Sequence, residues 1–233
     1  KTALLLDAGE AAGTLSTFAP FDCSEEVLRR TCAQIAAARP GMSVHAVVGD
    51  FNEHLWALPT EGACVLAFLG STIGNLEPPQ RKGFLADVAA TLDHDDWFLL
   101  GTDLVKPVEQ LVPAYDDSRG VTARFNLNAL SVMNSQLIAD FQPDAFEHRA
   151  VWNEQESRIE MQLVACNDQS VHLAALDGLD LEIRAGEHIR TEISTKFTRG
   201  QGRSELAGAG LVTEEAWTDA EGRFLVTLAR SAD

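Results

Sequence analysis

The sequence predicts an α/β protein, with a mostly parallel, doubly wound sheet that carries an inserted α+β lobe. Three observations lead there. Strand-like and helix-like patterns alternate over residues 1–105, as they do where crossover helices join parallel strands. From Lys106 the alternation stops, and residues 158–195 show apolar side chains at every second position instead. From Lys196 the first style resumes. The large sheet is therefore expected from residues 1–105 and 196–233, and the insert from residues 106–195.

Residues 1–13 read as a helix with Ala3, Leu4, Leu5 and Ala8 on its apolar side and Gly9 or Gly13 at its end. A brief strand over 18–24 closes on Asp22. Ser24 is placed to cap a second helix that runs to Pro40-Gly41. The next strand, 44–51, again ends on a carboxylate, Asp50. Cys64-Val65-Leu66-Ala67-Phe68-Leu69 is a short unbroken apolar run, the pattern of a strand buried on both faces. It stops in Gly70, Ser71, Thr72, Gly74 and Asn75, and a helix with Phe84, Leu85, Val88, Ala89 and Leu92 at near-helical spacing follows Pro78-Pro79. Trp97 to Asp103 is one more strand.

Residues 107–148 read as helical or irregular. The strands of 158–195 carry hairpin signals at Asn167-Asp168 and Asp177-Gly178. In the closing segment, Glu205 to Leu211 reads as a helix ending in glycine. A hairpin turning at Ala220-Glu221-Gly222 follows, and its natural place is beside the strand near Leu99.

A strand that ends in a small-residue loop before a helix is where an open α/β sheet holds small molecules. Gly70 and Gly74 would let a ligand approach the backbone, and Asn75 offers a donor and an acceptor from one side chain. The same pattern suits an ordinary strand–helix connection. Asp22, Asp50, Asn75 and Asp103 all close strands, however, and in a parallel sheet those ends lie along one edge.

Lys+Arg 18 against Asp+Glu 35 gives a net charge of −17, which repels phosphate backbones and anionic lipid, so nucleic acid and membrane are not expected partners. Cys23, Cys32, Cys64 and Cys166 show no metal-type or disulfide-type spacing, which suits a reducing, cytoplasmic setting. None of the six histidines is paired at ligand spacing with another His, a Cys or clustered carboxylates, so no metal is expected.

The strings FLGSTIGNLEP, LLGTDLVK, AYDD-x-x-GVTA-x-FN, IEM and IRTE-x-S-x-KF, spread in order over almost the whole chain, resemble the histidine-specific, S-adenosylmethionine-dependent methyltransferases of ergothioneine biosynthesis. The resemblance implies a Rossmann-like class I methyltransferase domain with an inserted smaller α+β substrate-binding domain. The implied reaction is trimethylation of the α-amino group of L-histidine to hercynine, with S-adenosyl-L-homocysteine as the other product. Carried over by position, the resemblance puts Asp22 on the cofactor ribose, Asp50 and Phe51 on the adenine, Gly70 close to the cofactor through its backbone, and Lys1 near the methionine carboxylate. It gives Asn75 and Tyr115 the substrate α-amino and carboxylate groups, where they would orient the reacting amine. Glu192 and Ser194 go to the imidazole, and Met161 to the side-chain pocket.

The resemblance also implies a first strand and a Gly-rich loop ahead of the first helix, and an upstream segment that contributes to the amino-acid site. Lys1 opens the helix itself, so that segment is expected as a further part of the same protein. Two other functions remain open at this level: the same scaffold acting on another amino acid, and a truncated, non-catalytic ligand-binding domain.

Overall fold

The structure is a computed structural model that describes residues 1–59 and 62–232. Residues 60, 61 and 233, which the expected sheet domain spans, lie outside the described residues. Helix α1 (Thr2–Ala12) stops at Gly13, whose left-handed φ of 67° lets its N–H return to the Glu10 carbonyl. Strands β1 (Thr17–Phe18) and β2 (Phe21–Asp22) flank Pro20, which has no N–H to give to a ladder. Helix α2 (Glu25–Ala38) is capped by Ser24, whose hydroxyl accepts from the Val27 N–H, and ends before Pro40. Strands β3 (Ser43–Val44) and β4 (Val47–Val48) pair in parallel with β1 and β2 respectively.

Strand β5 (Val65–Phe68) leads through a 3₁₀ turn at Thr72–Asn75 to helix α3 (Pro78–Thr91). Pro78 and Pro79 suit its first turn, and the Gln80 side chain accepts from the Glu77 N–H. The helix buries Phe84, Leu85 and Val88 against the sheet, each contributing on the order of 2 kcal/mol of transfer free energy. Strand β6 (Trp97–Asp103) pairs in parallel with β5.

Next along the chain come α4 (Val108–Tyr115) and α5 (Val121–Leu137). Strands β7 (Phe146–Asn153), β8 (Arg158–Ala165), β9 (Gln169–Leu173), β10 (Leu179–Ile183) and β11 (His188–Thr195) follow. One antiparallel sheet has the order β11-β8-β7, and β9 with β10 forms a separate hairpin. Helix α6 (Arg199–Gly208), β12 (Leu211–Thr218) and β13 (Phe224–Ser231) close the chain. Strand β13 lies antiparallel beside β6 with Leu228 opposite Leu99, as expected, and the four-stranded order is β12-β13-β6-β5.

Five expectations change in detail. The β1–β3 and β2–β4 pairs are not hydrogen-bonded to β5, so the described residues do not form one continuous doubly wound sheet. Strand β5 is an edge strand with alternating exposure, and Val65 is 59% exposed rather than buried. Strand β7 starts at Phe146, inside the stretch 107–148 that was read as helical or irregular, and runs on to Asn153. Asn167-Asp168 is not a hairpin, because β8 and β9 belong to different sheets, whereas Asp177-Gly178 turns β9 into β10 with φ of 54° and 69°. Helix α6 also starts six residues before the expected Glu205, at Arg199, with Thr198 as its cap.

Candidate active site

The loop after β5 is bent by two consecutive left-handed residues, Gly70 with φ 97° and Ser71 with φ 65°. The Ser71 hydroxyl accepts from the Asp103 N–H at 2.9 Å, tying the loop to the end of β6. A side chain at Gly70 would place its first carbon 3.7 Å from Lys1 Nζ, so Lys1 reaches this loop. Asp22 and Asp50 close the paired strands β2 and β4. Each uses one carboxylate oxygen locally, Asp22 on the Ser24 N–H at 2.8 Å and Asp50 on the Asn52 N–H at 2.8 Å. Phe51 is packed rather than free: its ring meets Phe68 at 5.1 Å and Phe84 at 5.7 Å between centroids. That contact joins the β2–β4 pair to the main core.

Gly74 works differently from the ligand approach read from sequence. An added Cβ there would stand 2.8 Å from the Thr195 carbonyl oxygen and 3.3 Å from its nitrogen, so the clearance is filled by β11. Through this close approach Asn75 Nδ2 donates to Glu192 Oε1 at 3.1 Å. Asn75, Glu77, Arg190, Thr191, Glu192 and Ile193 line a cavity of about 220 Å³. Burial pushes the Glu192 carboxyl above its usual range, and the Asn75 hydrogen bond and the Lys196 charge pull it only part of the way back.

The ladder explains which side chains share a face. Glu192 lies opposite Met161, and Ser194 opposite Ile159. Directly opposed residues in an antiparallel pair point the same way. A bulge between Arg190 and Glu192 shifts the alternation, so Ile189, Glu192 and Ser194 all face the side that α4 covers. From α4, Tyr115 brings its hydroxyl to Ser194 Oγ at 2.8 Å. The Tyr115 carbonyl accepts from His148 Nε2 at 2.8 Å, while Asn126 Nδ2 donates to His148 Nδ1, which selects the Nε2–H tautomer. Met161 is buried and does not line the cavity, nor do Tyr115 and Ser194. Asn75 and Tyr115 do not touch through a hydrogen bond among the described residues; they reach β11 two positions apart.

Two groups of residues at the site carried no role in the sequence reading. Lys196 is completely buried, and its Nζ donates to Tyr115 Oη at 2.7 Å and Ser194 Oγ at 2.8 Å while pairing with Asp103 Oδ2 at 2.9 Å. The period-two spacing of Glu192, Ser194 and Lys196 was the available signal. On the rim, Glu77 accepts from Arg158 at 2.9 Å and Arg190 at 2.7 Å, a network that sequence spacing gives no means of pairing.

A family model described as histidine-specific methyltransferase, SAM-dependent, matches residues 1–231. The chain is 52% identical over 229 residues to a histidine N-alpha-methyltransferase of Mycolicibacterium smegmatis, covering 98% of this chain and 71% of that protein. To the protein of the same description from Mycobacterium tuberculosis it is 48% identical over 229 residues, with the same coverage. A solved S-adenosylmethionine-dependent methyltransferase from Clostridium acetobutylicum superposes with a TM-score of 0.50 at 10% identity, over 92% of this chain and 75% of that one, a likeness of fold alone. The mixed α/β architecture is thus of the Rossmann-like methyltransferase class. With nearly its whole length matched and relatives at about half identity, the chain belongs to the histidine-specific, S-adenosylmethionine-dependent methyltransferase family of enzymes.

Proposed function

We propose that this enzyme transfers three methyl groups in succession to the α-amino nitrogen of L-histidine, giving hercynine on the route to ergothioneine, in the cytoplasm. The observation that carries the reading is the double pairing along β11, with Glu192 held by Asn75 and Ser194 by Tyr115 two residues further on. Glu192 accepts the ring N–H and the Ser194 hydroxyl serves the other ring nitrogen, with the buried Met161 as the ladder partner that backs Glu192. Asn75 and Tyr115 hold the amine and carboxylate. A ring without these nitrogens leaves buried polar groups unmatched, and that penalty supplies the specificity. In this reading residues 1–105 and 196–233 form the cofactor domain, and residues 106–195 the substrate-binding domain.

The residues fit the cofactor. Asp22 and Asp50 each keep a second carboxylate oxygen, one for a ribose diol and one for an adenine amine. The open Gly70 loop leaves room beside the Lys1 ammonium for a carboxylate. Bound S-adenosylmethionine supplies an electrophilic methyl group on a sulfonium centre. The α-ammonium loses one proton before each of the three transfers, and Asn75 and Tyr115 then aim the nitrogen lone pair, so most of the acceleration comes from positioning.

A substrate panel tests the assignment. Glu192→Ala should reduce the preference for histidine over phenylalanine by about tenfold or more, and an unaltered preference would refute the imidazole role. Mass spectrometry of the product should show three added methyl groups, and a reaction that ends at one would refute the trimethylation.

A further inference from the structure

We propose that Lys196, clamped by Asp103, restricts the Tyr115 and Ser194 hydroxyl protons to two alternative arrangements, in each of which the pair offers its ligand one donor and one acceptor. The inference rests on the reading above, in which Ser194 meets the ring and Tyr115 the amine. A proton count carries it. A lysine ammonium has three protons and no lone pair. Here the three have three acceptors, Tyr115 Oη at 2.7 Å, Ser194 Oγ at 2.8 Å and Asp103 Oδ2 at 2.9 Å, in a site with no solvent exposure.

Both hydroxyl oxygens therefore accept from Lys196, and a single proton spans the 2.8 Å between them. If Tyr115 donates to Ser194, both Ser194 lone pairs are used, its proton is free to donate, and Tyr115 keeps one lone pair. If Ser194 donates to Tyr115, the roles reverse. Either way the pair presents one donor and one acceptor, never two of a kind.

The ligand selects between the two states. When Glu192 takes the ring N–H, the other ring nitrogen carries a lone pair and needs a donor, which Ser194 supplies only if Tyr115 donates to it. Tyr115 Oη is then left as an acceptor for an amine N–H. Ring recognition at one end of histidine thereby sets the polarity of the group that meets the reacting end. Asp103 holds the lysine in place, and its other oxygen binds Lys106 Nζ at 2.6 Å, so two ammonium groups keep this carboxylate oriented. Lys196 and Asp103 are positioning residues in this scheme.

The test uses the full-length protein with S-adenosylmethionine and L-histidine. Lys196→Met keeps the side-chain length and removes the donors. It should raise the KM for histidine about ten- to a hundredfold, while S-adenosylhomocysteine affinity stays as in the wild type. Because the ammonium acts through the hydroxyls, Ser194→Ala should cost much less in the Lys196→Met background than alone. Losses that add in full, or an unchanged KM, would overturn the proposal.

A second measurement needs no variant at the lysine. Among the lysines of this sequence, Lys1, Lys82, Lys106 and Lys196, Lys196 alone is fully buried, so nitrogen NMR of lysine-labelled wild-type protein should show its ammonium protected from exchange, before and after histidine binds. Free exchange at every lysine would overturn the proposal. Histidine failing to bind the wild type would remove the reading beneath it. Equal binding to the wild type and to Lys196→Met would remove the proposal alone.

Discussion

Gly74→Ala is the sharpest test of how the loop and β11 are joined. The new methyl would stand 2.8 Å from the Thr195 carbonyl oxygen and 3.3 Å from the Thr195 nitrogen. Both are backbone atoms of a buried residue, so neither can swing aside as a side chain would. The strand and the loop must part by roughly half an ångström to restore ordinary contact in a close-packed interior. Overpacking of this kind costs about 1–3 kcal/mol, which for a chain of this size lowers Tm by about 2–12 °C. The same displacement lengthens the 3.1 Å bond from Asn75 to Glu192, so histidine binding should fall more than S-adenosylhomocysteine binding. Gly83→Ala is the matched control: it lies inside α3 with nothing within 4 Å of the added carbon. Relief of backbone entropy should stabilise that variant by about 0.5–1 kcal/mol. Calorimetric melting and histidine titration read both. A Gly74→Ala protein with wild-type melting and wild-type histidine affinity would refute the close-approach argument.

Two further outcomes follow from the site's charges. Burial raises the Glu192 carboxyl in the folded state, so the folded chain binds its proton more tightly than the unfolded chain does. Stability from this group is present below the ordinary carboxylate range and is lost as pH rises through the elevated value. Glu192→Gln should therefore melt higher than the wild type at neutral pH without ligand, and the gap should close on acidification; a gap that widens in acid would contradict the burial. Arg81 is buried and binds Glu205 through two nitrogens, the Leu76 carbonyl at 2.9 Å and Thr195 Oγ1 at 3.2 Å. Arg81→Ala strands these partners and should cost about 3–5 kcal/mol in denaturant unfolding, and a loss under about 1 kcal/mol would show that the pair is solvent-screened.

Much of the fold was legible because its signals are local. Ser24 before Glu25-Glu26, the two prolines at the start of α3 and the Asp177-Gly178 turn each act within a few residues, and each does what its chemistry requires. Strand β7 was missed although Phe146, His148, Ala150 and Trp152 alternate along it. Glu147 and Arg149 between them also suit a solvated helix face, and the pairing with β8 is what makes the segment a strand. The apolar run of β5 was read as doubly buried because composition reports what a strand could bury. Which edges are paired is a property of the assembled sheet.

The site divides along the same line between local and assembled information. Glu192 and Ser194 came from a resemblance between strings, and period two could have added Lys196 to them. The reason they point at Tyr115 was not readable. Thr191 is the extra residue of a bulge; were it paired with Met161 in a regular ladder, Glu192 would lie opposite Glu160 and face away from α4. No glycine marks the position, so nothing in the order of residues announces the change of parity. The bulge lies one residue from the carboxylate that the proposed specificity depends on. Local irregularity of that kind is placed by the contacts around it, here the Thr191 hydroxyl on the Met161 carbonyl at 3.1 Å and the paired Arg190 and Glu77. A register shift that pairs Thr191 with Met161 would turn Glu192 out of the site while leaving every proposed site residue in the sequence, whereas deletion of Thr191 would keep Glu192 opposite Met161.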